Sequence, residues 1–397
     1  VKYRYAILVG DGMADFPVGE LGGKTPLEYA STPNMDKAAA LGRIGLLATI
    51  PNGYPPGSDV GNMSLMGYDP RNYFTGRAPI EAASMGVPIG KDDVAFRCNL
   101  VTMDNGVMND YSAGHISTPV AHKVINALQK ALGTDEIKFF PGVGYRHIMT
   151  IKNTGAKLVC VPPHDITGHP ADEYLPKGDG GRDKILSIMN SAREIITKAR
   201  DEINKNGDDK CIATDIWLWG QGPSAAFPSM QERYGLTGSV ISAVDLVRGL
   251  GKLSGLNVRL VDGATGYLGT NYAGKVSAAV SAFENGEDFV YLHIEAPDET
   301  SHEGILNKKL QAIEEFDKYV VGEMLRYQSQ NPNLRIAVSP DHVTALSTRT
   351  HDASPVPFCV CGPGVRVDGA DQYNEKSARH SAPIGGPEFF DTFINER

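Results

Sequence analysis

The chain has 397 residues, 41% of them apolar and 21% charged, with a formal net charge of −9. That length supplies more than one hydrophobic core, so two or three domains are expected. The acidic balance, with no Lys/Arg run longer than two, argues against nucleic acid or an anionic membrane as partner.

The first predicted element is a strand over residues 3–9, YRYAILV, a continuous apolar run of the kind buried in parallel sheets. PNMDKAAALG reads as a helix with Pro near its start and Gly after its end. RIGLLATI is a second strand, and SDVGNMSLMG begins a helix with Ser58 as its expected N-cap. In the middle, STPVAHKVINALQKALG is a helix, RHIMTI and KLVCV are strands, and a helix runs through SIMNSAREIITKARDEINKN. Late in the chain the alternation returns. NVRLVD, FVYLHI, RIAVS and VPFCVCG are strands, interleaved with helices over TNYAGKVSAAVSAFENG and NKKLQAIEEFDKYVVGEMLRYQSQ. This pattern predicts an α/β fold with a mainly parallel sheet flanked by helices. The core is expected over 1–112 and 229–397, with a smaller α/β domain inserted at 113–228.

Cys98, Cys160, Cys211, Cys359 and Cys361 are scattered and lack a C-x-x-C spacing, so neither a disulfide framework nor a zinc knuckle is expected. The N-terminal apolar run is too short for a signal segment, and no stretch approaches 18 apolar residues. A soluble, cytoplasmic protein is expected.

Seven dispersed residues carry the chemistry. Asp11 follows AILVG, Asp298 and His302 lie in APDETSHEG after FVYLHI, and Asp341 and His342 follow RIAVS. His351 comes nine residues later, and Ser58 sits in PPGSDVGN. Singly, each has a plainer reading: a turn Asp, a helix cap, a loop pair. Jointly, Asp11, Asp298 and Asp341 each follow a strand, and open α/β sheets gather their ligands at the carboxyl ends of strands, so residues distant in sequence can meet at one edge. Three Asp and three His divide into two sets of three, with Ser58 free to join one. Asp and neutral His suit Mn²⁺ or Zn²⁺, and a Mg²⁺ site would be richer in oxygen. A cation beside Ser58 would lower its hydroxyl pKa and create a nucleophile.

The set resembles that of the alkaline phosphatase superfamily, and more closely the cofactor-independent phosphoglycerate mutases of the archaeal-type branch. The motifs GDGMAD, PGSDVGNMSLMGYDP, DYSAGHIS, PPHDITG, APDETSHEG, SPDHVT and THDASPVPF carry the resemblance over almost the whole chain. It implies an alkaline-phosphatase-like core with a substrate-positioning insert. It also implies one metal held by Asp298, His302 and His351, and a second held by Asp11, Ser58, Asp341 and His342. Ser58 would be transiently phosphorylated, and Asp165 would serve as acid/base. His115, His164 and Arg182 would handle substrate, with Arg146 and Lys275 as further cationic candidates. The implied cofactors are two divalent ions, Mn²⁺ first, then Zn²⁺ or Mg²⁺, without 2,3-bisphosphoglycerate. One departure is Asn62, where mutases commonly carry His.

The expected reaction is interconversion of 3- and 2-phosphoglycerate, with a small phosphorylated molecule as partner and homo-oligomerisation left open. Three rivals remain: a metal-dependent phosphatase or phosphodiesterase on the same residues, a small-molecule kinase of the homoserine type, and a non-enzymatic binding protein on the same scaffold. GELGGKT is no P-loop, because Gly19 and Gly23 enclose three residues rather than four.

Overall fold

YRYAILV forms the strand Arg4–Gly10, apolar because both faces of its sheet are covered. It pairs in parallel with Phe289–Ile294 on one side and Leu334–Ser339 on the other. Parallel pairing brings the carboxyl ends of all three strands to one edge, so Asp11, Asp298 and Asp341 leave the sheet together. The structure, a computed structural model, describes residues 2–206 and 210–395.

Beyond this central trio the eight-stranded sheet extends through Gly238–Ile241 to Asn257–Val258 on one flank. On the other lie Val356–Cys361, Gly42–Ala48 and Ile384–Gly385. Val356–Cys361 runs antiparallel to both neighbours, an inversion in an otherwise parallel sheet. NVRLVD is strand only at Asn257–Val258, where it forms the sheet edge. The long helix predicted over NKKLQ…QSQ is three consecutive segments: Leu306–Phe316, a π turn at Asp317–Val321, and Gly322–Gln330. The Asp317 carboxylate accepts from the Asn34 and Met35 amides, tying that turn to the start of helix Pro33–Ala40.

The chain divides into two compact units, Val1–Phe74 with Phe227–Arg397, and Thr75–Ala226. The second unit thus begins well before the expected residue 113. Its longest strand, Asp93–Asp104, pairs antiparallel with Arg146–Lys152 and Asp215–Pro223, and this pairing draws the 75–112 segment into the unit. Strands Ile137–Phe140 and Val107–Asp110 complete an antiparallel sheet. Alternation along Asp93–Asp104 sorts its side chains onto two faces. Val94, Phe96, Cys98 and Leu100 join a large core with residues of helices Thr118–Leu132 and Arg182–Asn206. Ala95 packs with Ala78 and Ala82 of helix Arg77–Met85. KLVCV is not a strand: Val159 makes only an isolated bridge with Lys177. Among the described residues no helix is long and apolar enough to cross a membrane.

Candidate metal centre

All seven residues singled out from the sequence meet at the carboxyl edge of the first unit's sheet. Asp298 is the hub of one half. It stands in the first turn of helix Ala296–Glu303, with His302 Nε2 3.2 Å from Oδ2 and His351 Nε2 3.3 Å from Oδ1. The two imidazole Nε2 atoms are 3.0 Å apart. His302 Nδ1 donates to the Arg349 carbonyl at 2.8 Å, which turns Nε2 inward. His351 is placed by the short hairpin of Val343–Ala345 and Thr350–Asp352, in register with Thr344.

The other half is built on Asp11 and Asp341. His342 Nε2 is 3.4 Å from Asp11 Oδ1, 3.4 Å from Asp341 Oδ2 and 3.0 Å from Ser58 Oγ. The His342 and His351 rings lie 4.1 Å apart, so the two halves are continuous. Thr344 Oγ1 donates to Asp298 Oδ1 at 2.6 Å, and His342 Nδ1 is 3.1 Å from that same hydroxyl. A hydroxyl already donating can only accept from the imidazole. His342 therefore carries its proton on Nδ1 and aims a lone pair from Nε2 at Ser58, Asp11 and Asp341.

Ser58 opens helix Ser58–Leu65, but it is not the N-cap that the sequence suggested. Gly57 holds that position, and the Ser58 hydroxyl is turned to His342 instead. Asn62, one turn on, donates to Asp341 Oδ2 at 2.7 Å and to the Ser58 carbonyl at 2.8 Å, and accepts from the Tyr291 hydroxyl at 2.6 Å. It thus fixes one oxygen of Asp341, while Oδ1 accepts from the Gly12 amide at 3.1 Å.

The electrostatics call for cations. Burial pushes the Asp11 carboxyl up, and the neighbouring Asp341 and Asp298 carboxylates push it further. Burial also works against Asp298, but hydrogen bonds from His302 and His351 outweigh it and hold that carboxyl well below its usual range. His302, despite its burial, is raised to about 9 by Asp298, whereas burial lowers His342. Two sets of ligand atoms each lie within 4.8 Å of one another: Asp298, His342 and His351, and Asp11, His293 and Asp341. Asp11 Oδ1 and His293 Nε2 are buried without a hydrogen-bond partner among the described residues. Clustered carboxylates and imidazoles with orphaned atoms fit divalent cations.

His293 was not legible as a candidate, since it lies within the apolar run FVYLHI and reads as core. Lys275 requires a correction. Its ammonium is fully buried, 2.7 Å from Glu295 Oε2 and 3.3 Å from the His293 carbonyl, so it is closed off from any substrate.

The remaining substrate candidates belong to the second unit. His164 and Asp165 lie in the short 3-10 helix Pro163–Ile166, exposed and 3.6 Å apart. The His164 ring sits 5.5 Å from Trp219, edge-on, and Tyr111 is 6.0 Å away. Arg146 stacks over Tyr145, and His115 occupies a left-handed turn at φ 53. Arg182 donates to the Pro176 carbonyl in its own loop at 2.9 Å. Missed from the sequence was the group around Trp219. Arg77 and Arg97 both stack on its ring and both bond Glu81, while Asn99 accepts from its indole N–H. Burial opposes the Glu81 charge, but the two guanidiniums outweigh it and lower its pKa.

Known proteins are similar to this chain across nearly their whole length. A family model described as 2,3-bisphosphoglycerate-independent phosphoglycerate mutase matches residues 39–203. A probable 2,3-bisphosphoglycerate-independent phosphoglycerate mutase of Geobacter sulfurreducens is 52% identical, covering 96% of both chains. The enzyme of that name from Methanosarcina acetivorans is 47% identical, again over 96% of each. Among solved structures, a protein of Pyrococcus horikoshii superposes with a TM-score of 0.81 at 28% identity, covering 100% of this chain and 98% of its own. The cofactor-independent phosphoglycerate mutase of Thermoplasma acidophilum gives 0.65 at 26% identity, over 99% of each. With identity this high over nearly the full length, the chain belongs to the 2,3-bisphosphoglycerate-independent phosphoglycerate mutase family.

Proposed function

We propose that this protein interconverts 3-phosphoglycerate and 2-phosphoglycerate through a phosphoserine at Ser58. The observation that carries the reading is the position of the Ser58 hydroxyl, 3.0 Å from His342 Nε2, where the Asp298 and Asp11/Asp341 groups join. Asp298, His302 and His351 would hold one divalent cation, and Asp11, Ser58, Asp341 and His342 the other, with Mn²⁺ the first candidate. Bound there, the cations supply charge that favours the Ser58 alkoxide and offsets the phosphoryl oxygens.

The residues then have distinct tasks. Ser58 Oγ, having given up its proton to solvent, attacks phosphorus, and the bond to the glycerate oxygen breaks as that oxygen takes up a proton. Glycerate reorients, its other hydroxyl attacks phospho-Ser58, and the displaced Oγ regains its hydrogen. Transfer of this kind is chiefly positioning and electrostatics, which explains why Asn62 and Thr344 fix the Asp341, His342 and Asp298 side chains. We assign proton transfer to Asp165 and substrate handling to His115, Arg146, His164 and Arg182. Lys275 is withdrawn from that list.

The relatives favour this reading over a phosphatase or a homoserine-type kinase. The test is to incubate metal-loaded protein with 3-phosphoglycerate, without 2,3-bisphosphoglycerate, and follow products by phosphorus NMR. Formation of 2-phosphoglycerate with little free phosphate is the expected result. Free phosphate released as fast as isomer would establish the phosphatase instead, and a need for ATP and an amino-acid hydroxyl would establish the kinase.

A further inference from the structure

We infer that His293 is itself a ligand of the cation held by Asp11 and Asp341, oriented by a buried Glu295–Lys275 pair. The inference rests on the two-cation reading above and adds a ligand to it.

His293 is the penultimate residue of strand Phe289–Ile294 and is fully buried. A polar ring there costs free energy unless both nitrogens are satisfied. Nδ1 is provided for: Glu295 Oε1 lies at 3.3 Å and Ser242 Oγ at 3.4 Å. Glu295 is surrounded by donors, accepting from the Ala243 amide at 2.7 Å, the Ser242 hydroxyl at 2.8 Å and the Lys275 ammonium at 2.7 Å. A carboxylate so placed accepts from the ring as well, which puts the imidazole proton on Nδ1.

Nε2 then presents a lone pair, and among the described residues none hydrogen-bonds to it. It lies 3.2 Å from Asp11 Oδ2 without a hydrogen bond, and among the described residues Asp11 Oδ1 likewise is buried with no hydrogen-bond partner. Acceptors facing one another at this distance repel unless a cation sits between them. The ligand atoms of His293, Asp11 and Asp341 lie within 4.8 Å of one another. An imidazole whose far nitrogen donates to a carboxylate is the common outer arrangement of a metal-bound histidine. Lys275 completes it by balancing the Glu295 charge, so the relay adds no net negative charge to the pocket. This gives the buried lysine a role that substrate contact could not.

The competing account is that His293 is an imidazolium held between Asp11 and Glu295, with no part in metal binding. Mn²⁺ titration of metal-depleted protein separates the two, combined with pulsed EPR of the Mn²⁺-loaded wild type carrying ¹⁵N-labelled histidine. The expected result is two bound ions with imidazole couplings from His293, His302, His342 and His351. In His293→Asn one of the two affinities should fall by about 100-fold or more, with the other within about threefold. Glu295→Gln should weaken the same site about 10- to 100-fold. Two ions with couplings from only three imidazoles, or unchanged affinities in His293→Asn, would overturn the inference and leave the mutase reading intact. Failure of the wild type to bind a second ion would overturn both. The wild-type coupling count decides the matter even if the variants do not fold.

Discussion

The Thr344 hydroxyl occupies one position between Asp298 and His342 and sets the state of both. Thr344→Val keeps the shape and β-branching but removes the donor to Asp298 and the acceptor for His342 Nδ1. Outer-shell losses of this kind cost roughly 10- to 100-fold in metal affinity. That weakening, with melting temperature nearly unchanged, is the outcome expected from calorimetric Mn²⁺ titration; wild-type affinity would remove the tautomer argument. A different histidine sets a pH limit on the second unit. His147 is buried, its Nδ1 accepts from the Gly142 amide at 2.9 Å, and its Nε2 has no hydrogen-bond partner among the described residues. Burial, with help from His122 and Arg97, pushes its pKa down to about 3. Folded protein therefore refuses a proton that the unfolded chain accepts below about 6.5. Stability is full above that value and falls, by up to about 1.4 kcal/mol per pH unit, as pH drops toward 3. Urea unfolding of wild type and His147→Gln between pH 7 and 4 should show the variant with the shallower slope. Parallel slopes would mean that His147 titrates normally.

Helix Ser58–Leu65 carries Ser58 and Asn62 to the centre, and it gets there because Gly61 has no side chain. A Cβ at Gly61 would overlap the Asp341 carbonyl oxygen, so the helix lies directly on the backbone that bears Asp341 and His342. Gly61→Ala should push the helix off this backbone, with a loss of about 1–3 kcal/mol and a disproportionate drop in kcat. An active variant of wild-type stability would show that the close approach is dispensable. Elements also explain what the sequence disclosed. Asp11, Asp298 and Asp341 were legible because each follows an apolar run that had to be a buried strand, and parallel strands end together. His293 was hidden because it lies within such a run, where pattern assigns it to the core. Ser58 was placed correctly on a helix start but in the wrong role, since a Gly at the preceding position leaves no trace of which residue caps. The Arg77–Glu81–Arg97–Trp219 group was illegible for a different reason. Its members come from a helix and two strands whose antiparallel pairing no local spacing announces.

At the scale of the whole chain, each unit has its own sheet and core, and the crossing points are well defined. Thr75 Oγ1 donates to the Pro223 carbonyl at 3.0 Å within the second unit, and the Tyr73 and Phe227 rings meet 5.6 Å apart within the first. A Thr75–Ala226 fragment should therefore fold and unfold cooperatively alone. The first unit, closed by a short Gly/Ser linker from Phe74 to Phe227, should still bind two Mn²⁺ ions yet lack isomerase activity. Full activity from the first unit alone would refute the role given to His164 and Asp165. The claim on which everything else depends is that the hydroxyl beside His342 is the group that accepts phosphate. It is tested most directly by acid-quenching Mn²⁺-loaded protein during turnover of 3-phosphoglycerate and mapping the phosphate by mass spectrometry. The account predicts phosphate on Ser58 in the wild type. In Ser58→Ala it predicts neither phosphopeptide nor 2-phosphoglycerate, with the fold retained. Phosphate on another residue, or a Ser58→Ala variant that still isomerises its substrate, would contradict it.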